Sequence, residues 1–468
     1  MQRYGDRVSI KDPEKTNEVK AVMSTVYGLS TPPGEGGIAI VRMSGEESLD
    51  IIKKHVDREL SFEPRKMHYC FFTDGEEKMD EVMVVYLKGP KTYTREDMVE
   101  IHCHGSMLSA SRIMNVLAKS GAVSAEPGEF TKRAFLAGRL DLSQAEAIMD
   151  YISAMTVASQ KAALKAMEGD ISKSIEDASE LLLDTIAHLE VAIDYPEEDI
   201  EPQAYQEILD TIEKINAIII PLLDTKDSGK IQREGYKVAI IGIPNVGKSS
   251  LLNALLGEQR AIVTDIEGTT RDYIREYYAI GGIPFVMVDT AGIRQPGDIV
   301  EAAGIDRSIA ESENADCILF MVDATKPLSD ADKHIDEMIN GKNVLLVINK
   351  IDAGDPQKFK SELTYESIAI SAKEGLGIEE LKKALYEKAM KAFRGDSSQV
   401  TINARQADML LGCKNALQSA KEQVDLGSDA ECISIDLNEA LFFLLSVIGK
   451  AIDEKIIDRI FEKFCLGK

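Results

Sequence analysis

The sequence predicts a multidomain fold in which an α+β domain comes first and an α/β domain is inserted into a helical bundle. Three observations predict this arrangement. The chain has 468 residues, more than one hydrophobic core usually organises. Strand-like apolar runs occur in two regions, and blocks with helical periodicity lie on both sides of the second region. Since each helical block must bury an apolar face, we expect the two blocks to pack together around an insertion.

The composition favours a globular protein of a reducing compartment. Hydrophobic residues make up 44% of the chain, which is enough to form several cores. The 6 cysteines have no C-x-x-C spacing, which disfavours a disulfide framework and a structural zinc site. The sequence has no apolar run long enough to cross a bilayer and no secretory signal at its N-terminus. We therefore expect a cytoplasmic protein without a membrane partner.

The chain is strongly acidic. Its 79 Asp and Glu residues against 54 Lys and Arg residues give a formal net charge of -25. Such a charge argues against a surface that binds polyanions as a whole. Any contact with nucleic acid is therefore expected to be local, or shared with a more basic partner.

The N-terminal part divides into an extension and a domain. Residues 1–22 are polar and aperiodic, which predicts a loose extension, and Met23 is an alternative start. Over residues 23–140 the apolar runs GGIAIVRM, EVMVVYL and DMVEIHCH alternate with turn signals such as TPPGEGG. This pattern predicts a compact α+β domain.

The rest of the chain divides into two helical parts and a strand-rich part between them. Residues 141–235, which begin with DLSQAEAIMDYISAM, have helical periodicity. Residues 396–468 have the same periodicity and include DLNEALFFLLSVIGKAI. Residues 236–395 open with the apolar strand YKVAIIG and alternate between strand and helix patterns. This strand-rich part is the predicted insertion.

A phosphate-binding pattern follows the first strand of the insertion. The sequence GIPNVGKS, residues 242–249, lies between the strand YKVAIIG and the helical SLLNALLG, which is the context that G-x-x-x-x-G-K-[ST] requires. Its glycines let backbone N–H groups surround phosphates, Lys248 reaches the β and γ oxygens, and the Ser249 hydroxyl is placed for Mg²⁺. A glycine-rich turn that binds nothing is the alternative, which the flanking elements disfavour.

Further patterns accompany this loop. FVMVDTAG places Asp289 at a strand end to support Mg²⁺ and Gly292 where its N–H can sense the γ-phosphate. Ras-type GTPases have a water-orienting Gln at the next position, but this chain has Ile293, so another group must orient the water. Asp298 and Glu301 are the acidic candidates nearby. In TDIEGTTRD, Thr270 is the expected second hydroxyl ligand of Mg²⁺, with a turn-forming threonine pair as the alternative.

The base is predicted by two later loops. VLLVINKID places Asn349, Lys350 and Asp352 after an apolar strand, and IAISAK places residues 371–373 after the next. A carboxylate at Asp352 can accept hydrogen bonds from N1–H and the 2-amino group of guanine, which adenine does not offer. The patterns therefore predict a P-loop GTPase domain of the Ras-like α/β type. The expected GTP contacts are Asn245, Val246, Gly247, Lys248, Ser249, Ser250, Thr264, Asp265, Ile266, Glu267, Gly268, Thr269, Thr270, Asp289, Thr290, Ala291, Gly292, Asn349, Lys350, Asp352, Ser371, Ala372 and Lys373.

From Met23 to Lys468 the chain resembles the tRNA-modification GTPases called MnmE or TrmE, within the TrmE-Era-EngA-like GTPases. The matching stretches are TPPGEGGIAIVRMSG, YTREDMVEIHCHG, EPGEFTKRAFLAGRLDLSQAEA, GIPNVGKSSLLN, GTTRD, DTAGIR and FCLGK. The first, third and last are diagnostic, because other GTPases share the nucleotide motifs alone. The resemblance implies an N-terminal folate-binding and dimerising domain, a helical domain, and a G domain inserted into the latter.

The resemblance also implies a reaction and its partners. A homodimer forms a heterotetramer with the FAD protein MnmG and adds a carboxymethylaminomethyl (aminomethyl-type) group to carbon 5 of the wobble uridine of certain tRNAs. A 5-formyl or 5,10-methylene form of tetrahydrofolate supplies the one-carbon unit. GTP is hydrolysed with Mg²⁺ and K⁺, and the GTPase cycle drives or gates the complex through G-domain dimerisation.

Site residues carry over by position. The resemblance implies that Glu301 rather than Asp298 positions the water, and that the thiol of Cys465 acts in the modification chemistry on a tail that reaches the folate pocket. Gln406 departs from the usual NARH block. At Arg139 relatives often have Lys. The implied K⁺ ligands are Asn245, Thr264, Ile266 and Thr269, and the implied folate contacts are Arg42, Glu100, Arg139 and Lys468.

Three groups of residues keep more than one interpretation. His102 and His104 share one face of a strand while Cys103 points to the other, so packing or pocket-lining roles are favoured over a metal site. The cluster of Lys132, Arg133 and Arg139 is either a solvated helix face or a site for tRNA or a folate tail. Cys465 is not followed by a prenylation pattern, so a lipid anchor is disfavoured and a buried cysteine remains the alternative to a reactive thiol.

Two other functions compete with tRNA modification. An Era-like GTPase switch in ribosome assembly would share the G domain, but such relatives carry a basic RNA-binding module with a GXXG loop. Here the segment after the G domain is helical and includes the acidic VDLGSDAEC. A membrane-remodelling GTPase would need a basic or amphipathic membrane face, for which the sequence gives no support.

Overall fold

The structure is a computed structural model that describes residues 24–194, 202–257, 276–288, 313–359, 363–393, 399–464 and 467. It divides into two compact units. The first unit contains the residues up to Asp141 together with Asp453–Lys468, and the second contains Leu142–Ile452. Among the described residues no helix combines the length and the apolarity that a membrane crossing requires.

The first unit is built on a six-stranded sheet with the order β3-β4-β5-β2-β1-β6. Neighbouring strands are antiparallel, apart from the parallel pair of β1 and β6. The strands are β1 Val26–Leu29, β2 Gly36–Ser44, β3 Met67–Asp74, β4 Glu77–Leu87, β5 Met98–Gly105 and β6 Val123–Ser124, and the helices are α1 Ser48–Lys53, α2 Met107–Lys119, α3 Glu129–Leu136 and, near the C-terminus, α14 Glu454–Phe461.

Side-chain alternation divides this sheet into two faces. In β5, Val99, Ile101 and Cys103 are buried in the core that α1 and α2 cover. Successive side chains of a strand point to opposite faces, so Glu100 and His102 lie on the other side of the sheet. That side also carries exposed apolar side chains, namely Ile38, Met67, Tyr69 and Met83.

Helix α14 packs against α3 within the first unit. The rings of Phe135 and Phe461 lie 6.1 Å apart, and Phe461 also contacts Phe464 at 4.9 Å. Gly128, which has φ +71°, leaves room for this packing, because a Cβ there would lie 2.6 Å from the Phe461 carbonyl oxygen. Residues 453–468, which fall in the predicted helical segment 396–468, therefore belong to the first compact unit.

The second unit contains a helical bundle and a second six-stranded sheet. The bundle comprises α4 Leu142–Ser153, α5 Val157–Glu168, α6 Asp170–Asp194, α7 Pro202–Leu223, α8 Lys226–Glu234, α12 Ala404–Asp425 and α13 Ala430–Val447. Helices from before and after the sheet share one core, in which Ile175, Ile215, Leu410 and Leu444 are fully buried. The two helical blocks therefore pack together around the inserted sheet, as expected.

The sheet of the second unit has the order β12-β11-β10-β7-β9-β8. All neighbouring strands are parallel except β8 and β9, which are antiparallel. Every residue of β10 and β11 is buried, as expected for parallel strands covered on both faces. The elements are β7 Tyr236–Ile241, α9 Lys248–Leu256, β8 Glu276–Ile280, β9 Ile283–Val288, β10 Cys317–Asp323, α10 Asp330–Ile339, β11 Val344–Asn349, β12 Ser367–Ala369 and α11 Ile378–Ala392.

Helix α4 contacts the chain on both sides of this sheet. Arg233, in the last turn of α8 before β7, lies 3.5 Å from the Asp150 carboxylate. Arg405, in the first turn of α12, donates two hydrogen bonds of 2.7 and 2.9 Å to Glu146. Glu146 and Asp150 are four residues apart on α4, so one helix face binds both connections of the insertion.

Gln406 has a structural role at the start of α12. Its backbone N–H donates to the Asn403 side chain at 2.8 Å, and its own side chain accepts from the Asn403 N–H at 3.0 Å. This is a capping box, which satisfies N–H groups that have no partner inside the helix. The Gln406 amide also donates to Glu146 at 2.9 Å. The departure from the usual NARH block is thus compatible with a well-capped helix.

Candidate functional site

The phosphate-binding loop lies between β7 and α9, as its sequence context predicts. Its close packing excludes side chains at two glycines. A Cβ on Gly247, where φ is +108°, would lie 2.1 Å from Asn349 Nδ2, and a Cβ on Gly242 would lie 2.5 Å from the Met321 carbonyl oxygen. Asn245 also has a left-handed backbone, with φ +63°. The loop therefore presents backbone rather than side chains, which is the requirement for enclosing phosphates.

The lysine of this loop is held across it. Lys248 begins α9, and its Nζ donates hydrogen bonds to the carbonyl oxygens of Gly242 at 2.6 Å and Ile243 at 3.0 Å. Val246 is buried in the core below, whereas Ser249 and Ser250 are exposed in the first turn of the helix. A cation and a helix N-terminus thus meet in one loop, an arrangement that favours phosphate groups.

Asn349, the first of the predicted base-binding residues, connects the phosphate-binding loop with the loop at residues 371–373. Asn349 ends β11, and its Nδ2 donates to the Val246 carbonyl oxygen at 2.7 Å. Its Oδ1 accepts from the Ala372 N–H at 3.0 Å. The three predicted motifs around residues 246, 349 and 372 therefore form one continuous hydrogen-bonded site, which we call the nucleotide site: residues 242–250, 349–352 and 371–373.

The guanine-selecting carboxylate is oriented by a serine. The Ser371 hydroxyl, which is buried, donates to Asp352 Oδ1 at 2.7 Å. This hydrogen bond lowers the pKa of the Asp352 carboxyl, because it stabilises the charged form. A carboxylate in this position can accept two N–H groups of guanine. Lys373 is exposed and pairs with Glu374 at 3.3 Å.

Asp323, which contacts this site through Lys350, was missed by the sequence reasoning. Lys350 Nζ lies 2.6 Å from Asp323 Oδ2 and 2.9 Å from the Asn245 carbonyl oxygen. Asp323 ends β10 and pairs in register with Asn349 on β11. Its position after an apolar strand, beside another strand that ends in a motif, is the signal that could have identified it.

Several predicted residues lie outside the described part of the chain. These are the switch and catalytic residues and two residues of the C-terminal motif. Their predicted roles therefore remain predictions. They are Thr264, Asp265, Ile266, Glu267, Gly268, Thr269, Thr270, Asp289, Thr290, Ala291, Gly292, Ile293, Asp298, Glu301, Cys465 and Lys468.

A second site forms on the first unit around a pair of strand residues. Arg42 on β2 and Glu100 on β5 are register partners, and their side chains form hydrogen bonds of 3.0 Å from Nε and 2.8 Å from Nη2. The Arg42 guanidinium lies 5.9 Å from the Tyr93 ring centre and 5.7 Å from that of Phe130. Two of the four predicted folate contacts are thus paired beside two aromatic rings.

Arg139 approaches the same tyrosine. Its guanidinium lies 4.7 Å from the Tyr93 ring centre, and its Nη1 donates to the Tyr93 carbonyl oxygen at 3.1 Å. Burial raises the pKa of Tyr93, whose hydroxyl is 2.9 Å from Thr131 Oγ1. We call Arg42, Tyr93, Glu100, Phe130 and Arg139 the arginine pocket. The sequence reasoning did not identify Tyr93 or Phe130, because neither belongs to a recognisable short pattern.

The His102, Cys103 and His104 side chains diverge as predicted for a strand. The Cys103 thiol is buried and donates to the Ala39 carbonyl oxygen at 3.5 Å, and burial raises its pKa to about 11. His104 contacts Asp80 at 2.6 Å, and this hydrogen bond raises the pKa of the imidazole. His102 Nε2 is buried without a hydrogen-bond partner, 3.6 Å from Glu100. Within the described ranges, no group of three or more potential ligands could hold a metal ion.

The predicted basic cluster does not act as one surface. Arg133 is buried, with ion pairs to Glu96 at 3.1 Å and to Glu129 at 2.8 Å, so the interpretation of it as part of a solvated helix face is wrong. Lys132 pairs instead with Asp458 of α14 at 2.5 Å. The two neighbouring residues of α3 have different partners: Arg133 pairs with Glu96 and Glu129, whereas Lys132 pairs with a residue of α14. Sequence spacing does not reveal this difference. Arg139 alone joins the arginine pocket.

Gly467, in the C-terminal motif, lies close to residues that adjoin this pocket. Its carbonyl oxygen accepts from the Ser30 hydroxyl at 3.3 Å. A Cβ on Gly467, where φ is +83°, would lie 1.9 Å from the Leu29 carbonyl oxygen. A Cβ on Gly28 would lie 3.3 Å from the Phe130 ring and 3.5 Å from Gly467 Cα. Gly28 thus lies close to both Gly467 and Phe130, and the Arg42 guanidinium also faces the Phe130 ring.

Comparison with known proteins assigns the chain to a family. A family model described as the MnmE helical domain matches residues 142–465. A second model, described as the GTP-binding protein TrmE N-terminus, matches residues 25–139. The Feob G domain of Methanococcus jannaschii is 30% identical over 33% of this chain and 98% of that chain, with a TM-score of 0.25.

Curated relatives match the chain over nearly its whole length. A protein of Thermoanaerobacter pseudethanolicus named tRNA modification GTPase MnmE is 45% identical over 462 residues, which cover 96% of this chain and 100% of the relative. The protein of the same name from Thermotoga petrophila is 42% identical over 452 residues, with 95% and 100% covered. On these matches the chain belongs to the MnmE (TrmE) family of tRNA modification GTPases.

Proposed function

We propose that this chain hydrolyses GTP within a complex that adds a carboxymethylaminomethyl-type group to carbon 5 of the wobble uridine of certain tRNAs. Family membership supports GTP hydrolysis and tRNA modification. The observation that carries the rest is the occurrence of two separately built sites in one chain, the nucleotide site and the arginine pocket. The first site is suited to a guanine nucleotide and the second to a flat, polar, partly anionic ligand.

The nucleotide site has the groups that GTP binding needs. Lys248 supplies a positive charge inside the phosphate loop, and Asp352 supplies the acceptor for guanine N–H groups. Mg²⁺ would be held by Ser249 with Thr270, and it would neutralise charge on the phosphate oxygens.

Hydrolysis further needs a group that positions water. We assign this role to Glu301, since Ile293 has no polar atoms. Glu301→Ala should slow hydrolysis while sparing nucleotide affinity, and a normal rate would contradict the assignment.

A potassium ion is the second proposed metal of the nucleotide site. Asn245 would hold it together with Thr264, Ile266 and Thr269, and the ion would supply the positive charge that an arginine finger supplies in other GTPases. Asn245 is exposed and has a left-handed backbone. We expect faster GTP hydrolysis in potassium than in sodium. Equal rates in the two salts would remove the cation from the proposal.

The arginine pocket fits a tetrahydrofolate. Its planar guanidinium and aromatic groups can contact a pterin ring, and Glu100 can accept hydrogen bonds from pterin N–H groups. Arg139 and Lys468 are the cations proposed for the glutamate carboxylates. His102 Nε2, buried without a partner on the same sheet face, is a polar atom that such a ligand could satisfy. When bound, a 5-formyl or 5,10-methylene folate would supply the one-carbon unit.

The thiol proposed for the modification chemistry is that of Cys465. Gly467, two residues further on, lies close to Gly28, which also adjoins Phe130 of the arginine pocket, and this position supports a reactive rather than an anchoring role. Lys468 would favour the thiolate, the reactive form of cysteine. Cys465→Ser should leave GTP hydrolysis intact and abolish tRNA modification. Loss of both activities, or of neither, would contradict this role.

The partners and the domain division are part of the same proposal. We propose a homodimer, supported by the exposed Ile38, Met67 and Tyr69 on one face of the sheet of the first unit. The homodimer would join MnmG in a heterotetramer and act on tRNA in the cytoplasm. The proposed segments remain an extension 1–22, a folate-binding domain 23–140, helical parts 141–235 and 396–468, and a G domain 236–395.

A ribosome-assembly GTPase is not favoured, because the two matching family models, over residues 25–139 and 142–465, describe the TrmE N-terminus and the MnmE helical domain. The decisive experiment is nucleoside analysis of tRNA from cells that lack this protein. We expect the modified wobble uridine to disappear and to return when the unaltered chain is supplied. Normal tRNA nucleosides combined with a defect in ribosomal subunits would favour the Era-like alternative.

A further inference from the structure

A buried acid at the end of β10 has no role in the reaction described so far. The Asp323 side chain is 6% exposed, although carboxylates are rarely buried unless they are paired. One of its oxygens, Oδ1, accepts from the Thr325 N–H at 2.9 Å and from the Thr325 hydroxyl at 2.6 Å. The other, Oδ2, is 2.6 Å from Lys350 Nζ. The carboxylate therefore joins a tight turn to the lysine of the guanine-binding loop.

The lysine continues this connection to the phosphate loop. Lys350 Nζ also donates to the Asn245 carbonyl oxygen at 2.9 Å. Both Lys350 and Asn245 have left-handed backbones, with φ +66° and +63°. Such conformations are uncommon for residues other than glycine and persist where surrounding contacts hold them. The ammonium thus braces two strained backbones against each other.

The charge of Asp323 matches this role. Burial alone would raise the pKa of its carboxyl, but the hydrogen bonds from Lys350 and Thr325 outweigh burial and lower it. The acid is therefore ionised at neutral pH and can orient the Lys350 ammonium. A neutral residue of the same size could accept one hydrogen bond there but would not balance the charge.

We propose that Asp323 is a positioning residue for guanine nucleotides. It acts through Lys350, whose side chain bridges the guanine-binding loop and the phosphate loop at Asn245. Nucleotide binds to both loops at once, so their relative position decides affinity, whereas the hydrolytic step depends on groups at the γ-phosphate. The competing interpretation is that Asp323 only closes the turn at Thr325.

The test is a double-mutant cycle on nucleotide affinity in the full-length chain. Asp323→Ala should weaken binding of fluorescent GDP and GTP analogues about tenfold, which is about 1.4 kcal/mol. In a Lys350→Met background, Asp323→Ala should cause little further loss, since the bridge is already absent.

Two further variants separate positioning from turn formation. Asp323→Asn keeps an acceptor for Lys350 and should recover part of the affinity. Thr325→Val removes a hydrogen bond to the same carboxylate without touching Lys350, and should bind nucleotide normally. Unchanged affinity in Asp323→Ala, additive losses in the cycle, or an equal loss in Thr325→Val would overturn the proposal. If Asp323→Ala does not fold, Asp323→Asn and Thr325→Val, measured with and without Lys350→Met, decide the same question.

Discussion

The nucleotide site and the arginine pocket are assembled in different ways. The nucleotide site consists of short contiguous motifs, each of which follows a strand of one parallel sheet, and hydrogen bonds such as Asn349 to Val246 connect them. The arginine pocket consists of single residues far apart in sequence, which the register of β2 and β5 and the position of α3 bring together. A loop motif carries its own geometry, whereas a pocket on a sheet depends on the whole domain.

This comparison predicts that a single substitution in the nucleotide site changes nucleotide binding strongly without altering the rest of the protein. Asp352→Asn replaces a side chain that only accepts hydrogen bonds by one that also donates them. The variant should therefore bind guanine nucleotides more weakly and xanthine nucleotides more tightly. The preference for XTP over GTP should rise by about 10⁴, the size of discrimination that buried hydrogen-bonding groups provide. Competition binding with both nucleotides measures it, and Asp355→Asn on the same loop is the control. Unchanged GTP affinity in Asp352→Asn would show that another residue selects the base.

The arginine pocket should instead be sensitive to substitutions outside it that destabilise the first unit. Arg133 is not among the arginine-pocket residues, but it pairs with Glu96 and Glu129 and donates to the Ser24 carbonyl oxygen at 3.0 Å. Arg133→Met should destabilise the first unit by about 3 kcal/mol, because it leaves carboxylates without their partner. Denaturant unfolding followed by a probe in each unit measures this change.

A matched variant sharpens that test. Arg112→Met removes an exposed arginine of the same unit that pairs with Glu77, and should change stability by less than about 1 kcal/mol. GTP affinity should be normal in both variants. If Arg133→Met weakens GTP binding as much as it destabilises the first unit, the two sites are not independent in the way the comparison implies.

The smallest expected effect concerns pH. The Ser371 hydrogen bond lowers the pKa of Asp352, so the charged carboxylate that guanine needs persists to a more acidic pH than an ordinary Asp would allow. In Ser371→Ala the pKa should rise, and GTP affinity should begin to fall at a higher pH as the solution is acidified. At neutral pH the charge of Asp352 is unchanged in either case. Affinity profiles that superimpose over the acidic range would contradict this role of Ser371.

How much could be predicted from sequence follows the same division. Strand-loop-helix context located Lys248, Asn349 and Asp352 correctly, because parallel strands bring their C-terminal ends to one edge. Asp323 was missed because its partner comes from a neighbouring strand rather than from a nearby position in sequence. Arg42 and Glu100 were found through the family resemblance alone, since their pairing depends on strand register, which composition and spacing do not determine.

Long-range packing explains the remaining differences. Arg133 was predicted to be solvated or ligand-binding, but Glu96 lies 37 residues away and reaches it through the fold. Residues 453–468 lie in the predicted helical segment 396–468, and the aromatic side of their helix α14 packs against α3 in the first unit, a contact that the sequence does not indicate. Helical periodicity shows that a helix has an apolar side without showing which surface that side will cover.

The central claim is that one chain carries two separable sites, and Arg42→Ala tests it most directly. Arg42 pairs with Glu100 in the arginine pocket, in a different unit from the nucleotide site. The measurement combines GTP hydrolysis by the purified variant with wobble-uridine nucleosides from cells in which it is the sole copy, and Arg112→Ala serves as control. We expect normal hydrolysis with loss of the modified nucleoside. Normal modification, or loss of hydrolysis in a folded variant, would contradict the account.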